Sequence, residues 1–240
     1  MNLQSKVAIV TGANGGIGAE FSKMLVKKGA TVYGLARNEE KLESVKFHLG
    51  DAFIPVKMDI TKPEDLKHWV DSTFNRRNVP DILINNAGLG YFANVEDLTL
   101  EEWHTMLDVN LSGVFYLTRL IVPFMKEHPG INHIVNISSV AGLLGNPQLS
   151  GYNATKFGLR GFSEALFKEL RYDGIKVTCM LPGSIATHFF ENIENSQVHP
   201  NMLNPADVAD SLCYILETPD NFLINEITLR PLNPKSAEVN

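Results

Sequence analysis

Residues 6–18 read KVAIVTGANGGIG: a short apolar run, a glycine-rich turn and the first residues of a helix. Lys6 to Val10 has the composition of a strand. From Gly16 to Lys28 the apolar residues Ile17, Phe21, Met24 and Leu25 recur at helical spacing, and Gly29 stops the helix. Glycine in such a turn lets the backbone approach a pyrophosphate. The helix behind it offers unpaired N–H groups and the positive end of its dipole. The glycines fall at 12, 16 and 18, not at the GxGxxG spacing. With a strand before it and a helix after it, this reads as a nucleotide-binding turn.

Outward from that unit, strands and helices keep alternating. Thr31–Ala36, Ala52–Met58, Asp81–Ile84, Ile131–Ser138, Ile175–Leu181 and Ile224–Leu229 have strand composition. A helix is expected from Glu39 to about His48, and another, opened by a Thr61/Glu64 capping box, to about Phe74. A second box, Thr99 with Glu102, opens a long amphipathic helix to about Lys126, with Pro123 as an expected kink or break. Two more helices follow, Leu149–Tyr172 and one from the Asn204-Pro205 cap to about Glu217. The alternation implies an α/β fold: a single doubly wound Rossmann-type domain over residues 1–240, with a seven-stranded parallel sheet covered on both faces. Residues 187–203 are polar and weakly periodic, and read as a lid or binding loop.

Composition excludes several partners. The net charge is −6 and no basic patch stands out, which argues against nucleic acid and anionic membrane. Cys179 and Cys213 are isolated, as suits buried thiols in a reducing compartment, and the seven histidines show no metal-ligand spacing. There is no signal-like start and no apolar stretch of about 18 residues. The expected setting is the cytoplasm.

Chemistry is concentrated in NISSVAGLLGNPQLSGYNATK, residues 136–156. Tyr152 and Lys156 are four apart, so a helix places both on one face, about 6 Å apart at Cβ. An ammonium beside a phenol is expected to lower the phenol's pKa and make it a usable proton donor and acceptor. Ser138 and Ser139 close the preceding apolar run, where open α/β sheets place their ligands. Near the first glycines, the second strand ends Leu35-Ala36-Arg37-Asn38 with no acid at its tip. An acid there would bind the ribose 2′-hydroxyl of NAD, whereas arginine accommodates the 2′-phosphate of NADP. Arg37 therefore favours NADP(H) over NAD(H), unless it pairs on the surface with Glu39 or Glu40.

TGANGGIG, NNAG (residues 85–88), Asn110, the serine run, YNATK and Pro182-Gly183 stand in the order and spacing of the classical short-chain dehydrogenase/reductase family. The resemblance covers Lys6 to Pro231. It selects Ser139, thirteen positions before the tyrosine, as the catalytic serine and leaves Ser138 as a structural neighbour. It implies Tyr152 as acid/base, Ser139 as a hydrogen-bond donor to the reacting oxygen, Lys156 on the nicotinamide ribose, and Asn110 holding a water behind the lysine. The implied cofactor cradle is Gly12, Asn14, Gly16, Ile17 and Gly18, with Arg37 at the adenosine phosphate and Asp59 and Ile60 at the adenine. Asn86, Ala87 and Gly88 would line the ribose, and Pro182, Gly183, Ile185 and Thr187 the nicotinamide. Asp59 also suits a strand-end cap, Thr187 a helix cap, and Asn85 a brace of the sheet.

Substrate contacts are expected from Leu144, Asn146, Gln148 and Leu149, between serine and tyrosine, and from Tyr91, His188 and Phe189. This mixed lining favours neither a long acyl chain nor a sugar. The ending NEITLRPL resembles members acting on small 3-hydroxy acids and amino-acid alcohols, within an NADP-dependent 3-hydroxy acid dehydrogenase-like subgroup. The implied reaction interconverts a carbonyl and a secondary alcohol. A non-catalytic NADP(H)-binding sensor on the same fold, and a 3-oxoacyl reductase, are the alternatives. The helices after Thr99 and Leu149 resemble those that pair subunits into dimers or tetramers.

Overall fold

The structure, a computed structural model, describes residues 1–187, 189 and 200–233. Seven strands form one parallel sheet: β1 Val7–Thr11, β2 Thr31–Ala36, β3 Phe53–Lys57, β4 Ile82–Asn85, β5 Asn132–Ile137, β6 Ile175–Pro182 and β7 Glu226–Leu229. Their spatial order is β3-β2-β1-β4-β5-β6-β7. The chain thus builds outward in one direction through β3 and returns to start the other half at β4. The reversal lies between β1 and β4, and in such sheets the ligand crevice opens there, at the carboxyl ends of the strands.

Helices α1 Gly16–Lys27, α2 Glu39–Leu49 and α7 Pro205–Leu216 cover one face. Helices α3 Pro63–Thr73, α5 Gly113–Glu127 and α6 Ser150–Leu170 cover the other, and α4 Leu100–Leu107 packs against α6. Strand periodicity divides the core between them. Ala8 and Val10 join Phe21, Leu25, Leu42 and Leu212, whereas Ile9 between them joins Leu66, Leu117 and Ile121. The same alternation sends Ile84 to the first layer and Leu83 to the second.

Three local expectations are corrected. Thr61 does not cap α3: its hydroxyl donates to Asp59 Oδ1 at 2.8 Å. Pro63 occupies the first helical turn and moves the N-cap to Lys62. The Thr99/Glu102 box does form. Pro123 does not end its helix, because α5 continues to Glu127 and seats Leu117, Ile121 and Met125 in the core. The irregularity instead lies upstream, in a π-helical turn at Asp108–Ser112. Finally, Leu100–Glu127 is the one helical stretch among the described residues that is long and apolar enough to cross a membrane. Here its inner side is packed on the sheet.

Candidate active site

The turn after β1 is shaped by glycine at two points. Gly12 has φ +67°, a region that side chains disfavour. A Cβ on Gly18 would collide with the carbonyl oxygen of Gly12, so α1 can lie this close to the turn only with glycine there. No side chain caps α1 and no acid stands in its first turn. Its free N–H groups and dipole therefore suit an anion. Behind the turn, the Asn86 side chain donates to Thr11 O at 2.9 Å, and Thr11 Oγ1 accepts from the N–H groups of Asn86 and Ala87, each at 2.9 Å. These bonds lock the end of β1 to the end of β4.

A cleft of about 570 Å³ opens beside that turn, lined among others by Gly12, Asn14, Arg37, Asp59, Ile60 and Gly88. Glu39, one of the acids that could engage Arg37, pairs with Lys57 at 3.1 Å instead. Asp59 Oδ1 accepts from the backbone and hydroxyl of Thr61 at 3.0 and 2.8 Å. Burial pushes its pKa up, but the Thr61 bonds and the Arg37 charge outweigh this and hold it below the usual carboxylate value.

Ser139, Tyr152 and Lys156 converge at the carboxyl end of β5. Tyr152 and Lys156 sit one turn apart at the start of α6, with Lys156 Nζ 5.6 Å from the centre of the Tyr152 ring. Ser139 stands near enough to Tyr152 to favour its ionised form, and its hydroxyl accepts from Ala141 N at 3.1 Å. Ser138 points elsewhere, its hydroxyl donating to Lys156 O at 3.0 Å in a buried position. Lys156 Nζ donates to Ile137 O at 2.9 Å. Asn110 lies in the π-turn, fully buried; its side chain accepts from Leu89 N at 2.9 Å and donates to Leu89 O at 2.8 Å and Thr155 Oγ1 at 3.1 Å. A Cβ on Gly88 would lie 3.3 Å from Asn110 Oδ1 and 3.4 Å from Lys156 Nζ. Gly88 therefore joins the cleft to the cluster of Ser139, Tyr152 and Lys156.

The expected depression of the phenol pKa is reversed. Burial pushes Tyr152 up to about 12, with Ser139 opposing. Burial also pushes Lys156 down to about 8, slightly countered by the Cys179 thiol. Desolvation of both groups outweighs any attraction between them.

Residues 6–198 match the family of short chain dehydrogenases. The chain belongs to that family. An uncharacterized oxidoreductase of Staphylococcus aureus strain MW2 is 34% identical over 231 residues, covering 96% of this chain and 99% of the relative. The closed form of a serine dehydrogenase complexed with NADP+ superposes with a TM-score of 0.86 at 28% identity, covering 98% of each chain. A 3-ketoacyl-(acyl-carrier-protein) reductase from Brucella melitensis complexed with NADH gives 0.87 at 30% identity, over 95% of this chain and 98% of that one. This short-chain dehydrogenase is accordingly an NAD(P)-dependent oxidoreductase of CH–OH groups.

Other residues singled out from the dehydrogenase's sequence divide into three groups. Thr187 reaches the site: a Cβ on Gly16 would lie 3.5 Å from its Cγ2. Its hydroxyl also accepts from Phe189 N at 3.4 Å. Phe189 packs on Tyr152, ring centres 5.8 Å apart. Others brace rather than line. Asn86 ties the glycine turn, Asn85 donates to Thr118 Oγ1 and Asn136 Oδ1, and Ile185 is buried in the core shared with α7. Pro182 ends β6, and Gly183 N donates to Leu229 O at 2.7 Å. In the loop before α6, Leu144 is exposed, Asn146 N donates to Asn153 Oδ1, and Gln148 takes φ +64°. His188 lies outside the described residues.

Sequence reasoning misses Phe92, whose ring centre is 5.9 Å from that of Tyr152. It points to the neighbouring Tyr91 instead. It also misses Asn153, which donates to Ala141 O and to Leu144 O at 2.7 Å and so shapes the loop between serine and tyrosine. Its place one residue after the tyrosine, in the first turn of a buried helix, is the signal that could have found it.

Proposed function

We propose that this dehydrogenase interconverts a carbonyl and a secondary alcohol on a small molecule, with NADP(H) preferred to NAD(H). The observation that carries the reading is the convergence of Ser139, Tyr152 and Lys156 beside a cleft whose other end holds Arg37. The residues fit a dinucleotide: the side-chain-free turn at Gly12 and Gly18, the uncapped start of α1 and the exposed guanidinium of Arg37 suit phosphates. Asp59 suits the adenine amino group, since the hydrogen bonds from Thr61 fall on its Oδ1 alone. When bound, NADP(H) supplies hydride exchange with the carbonyl carbon.

The chain's own groups handle the oxygen. A Tyr152 phenol held protonated across the neutral range is the donor that carbonyl reduction requires. Ser139 Oγ, beside the phenol, orients the same oxygen. Lys156 uses one of its three donors on Ile137 O, which leaves two for the hydroxyls of a ribose. Asn110 has spent its amide on Leu89 and Thr155, so a water behind Lys156 would be held by its main chain, where the π-turn disturbs the carbonyl ladder. Positioned acid/base catalysis of this kind contributes about 10²–10⁴ in rate.

The test is NADPH and NADH oxidation by the purified protein across a panel of ketones and aldehydes, with cofactor binding measured separately. Turnover with NADPH supports the reading; tight NADPH binding with no turnover across a broad panel supports the sensor alternative and removes it. We also assign the outer faces of α5 and α6 to subunit pairing, because Phe115 and Phe157 leave rings exposed there. Light scattering that finds only a 26.6 kDa monomer contradicts that assignment.

A further inference from the structure

We propose that the substrate carries an uncharged apolar group, aryl or branched alkyl, beside its carbonyl, and that Phe92 is the residue that selects it. The inference rests on the reaction just proposed and names its substrate class.

The first observation is the surroundings of Tyr152. Phe92 and Phe189 flank its ring, at centre distances of 5.9 and 5.8 Å and tilts of 42° and 51°. Both flanking rings are only partly buried, whereas Tyr152 is 8% exposed. Phe92, being only partly buried, therefore leaves apolar surface open beside the acid/base group itself. Met106 and Ala141 are buried beneath it, with Leu89 and Leu98 packed against them.

The second observation is that Phe92 is held in place. On one side of it, Tyr91 N donates to Met106 Sδ at 3.4 Å; on the other, Ala93 N donates to Gln148 O at 3.0 Å. The second bond joins the loop after β4 to the loop before α6, at a residue with φ +64°. A Cβ on Gly90 would lie 3.1 Å from Tyr152 Cδ2 and 3.2 Å from Phe92 Cζ, so the absence of a side chain there is what lets the two rings approach. An aromatic ring anchored on both flanks, beside the catalytic phenol, is a wall built for contact with an apolar group.

The third observation is charge. Segments 88–94, 139–149 and 183–187 contain no Asp, Glu, Lys, Arg or His. Among the described residues, Lys156 is the cation beside Tyr152, and it is 4% exposed with its amine turned to Ile137 O. A small hydroxy acid would find no counter-ion for its carboxylate among the described residues of this recess, which is costly. An aryl or branched alkyl ketone gains from the same recess.

Two readouts test this on the full chain. In the first, acetophenone and acetoacetate are titrated into the protein saturated with NADP+, which does not react with a ketone. In the second, kcat/KM is measured for both ketones with NADPH. Acetophenone is expected to be favoured by about tenfold or more in each. Phe92→Ala should cost acetophenone about tenfold more in kcat/KM than it costs acetoacetate, mainly through KM, with the NADPH dissociation constant near wild type. Phe92→Tyr, which keeps the ring, should retain the preference, and controls for misfolding of the alanine variant. A preference for acetoacetate, or equal losses on both ketones in Phe92→Ala, overturns the inference while the proposed reaction stands. NADPH binding without turnover of either ketone or of any other carbonyl overturns the reaction, and this inference with it.

Discussion

Lys156 and Lys176 are both buried, at 4% and 6% exposure, and they are built in opposite ways. Lys176, near the start of β6, donates to Pro219 O at 2.6 Å, Phe222 O at 2.8 Å and Thr218 Oγ1 at 3.2 Å, with Thr218 O at 3.5 Å. Its three donors are fully used in closing the turn after α7. Lys156, on α6 at the other end of the sheet, has Ile137 O alone among the described residues. Burial lowers the pKa of both. Burial therefore does not separate a cation that braces the fold from one proposed to hold a cofactor; the number of acceptors around it does. The amine left under-satisfied is the one beside the tyrosine and the cleft.

The largest expected difference is in catalysis. Lys156→Ala should lower kcat/KM by about 10²–10⁴, whereas Lys176→Ala should leave it close to wild type. Steady-state kinetics on the two variants decide this, and equal losses would break the comparison.

Stability should respond in the reverse order. Lys176→Met leaves buried carbonyls without a donor and should destabilise the fold by about 3 kcal/mol in urea melts. Lys156→Met removes a charge that burial opposes and should stabilise by up to about 3 kcal/mol at pH 7. The pH dependence follows from a folded pKa near 8 against 10.5 for a free lysine. The folded state disfavours the ammonium, so the penalty is complete below pH 8 and is lifted as pH rises toward 10.5. The advantage of Lys156→Met should shrink over that window; an advantage that grows would contradict the burial argument.

A third cation marks the far end of the cleft. Arg37 is exposed, so its effect should be smallest: Arg37→Ala should weaken NADPH by about tenfold and NADH hardly at all. Equal weakening of both would remove the case for NADP.

Part of this pattern is legible in the amino-acid order itself. Strand and helix periods specify the alternating layers, and the family resemblance, through its spacing to the tyrosine, separates Ser139 from Ser138, which the structure places in different surroundings. Arg37 is legible because a strand tip must present whatever residue follows it. The features that escape such reading all depend on contacts distant in the chain. Phe92 faces Tyr152 because of bonds to Met106 and Gln148, and an irregular loop has no period to reveal which of Tyr91 and Phe92 turns inward. The phenol's pKa escapes because helical spacing describes the lysine neighbour but not the burial around both. Thr61 departs from its expected cap because Asp59 competes for its hydroxyl.

The central claim is that Tyr152 is the proton donor to a carbonyl reduced by NADPH. The most direct test compares wild type with Tyr152→Phe, recording NADPH-dependent turnover of acetophenone and, in parallel, NADPH affinity. Loss of turnover by about 10² or more with NADPH affinity retained is the predicted result. Full activity in the phenylalanine variant would contradict it.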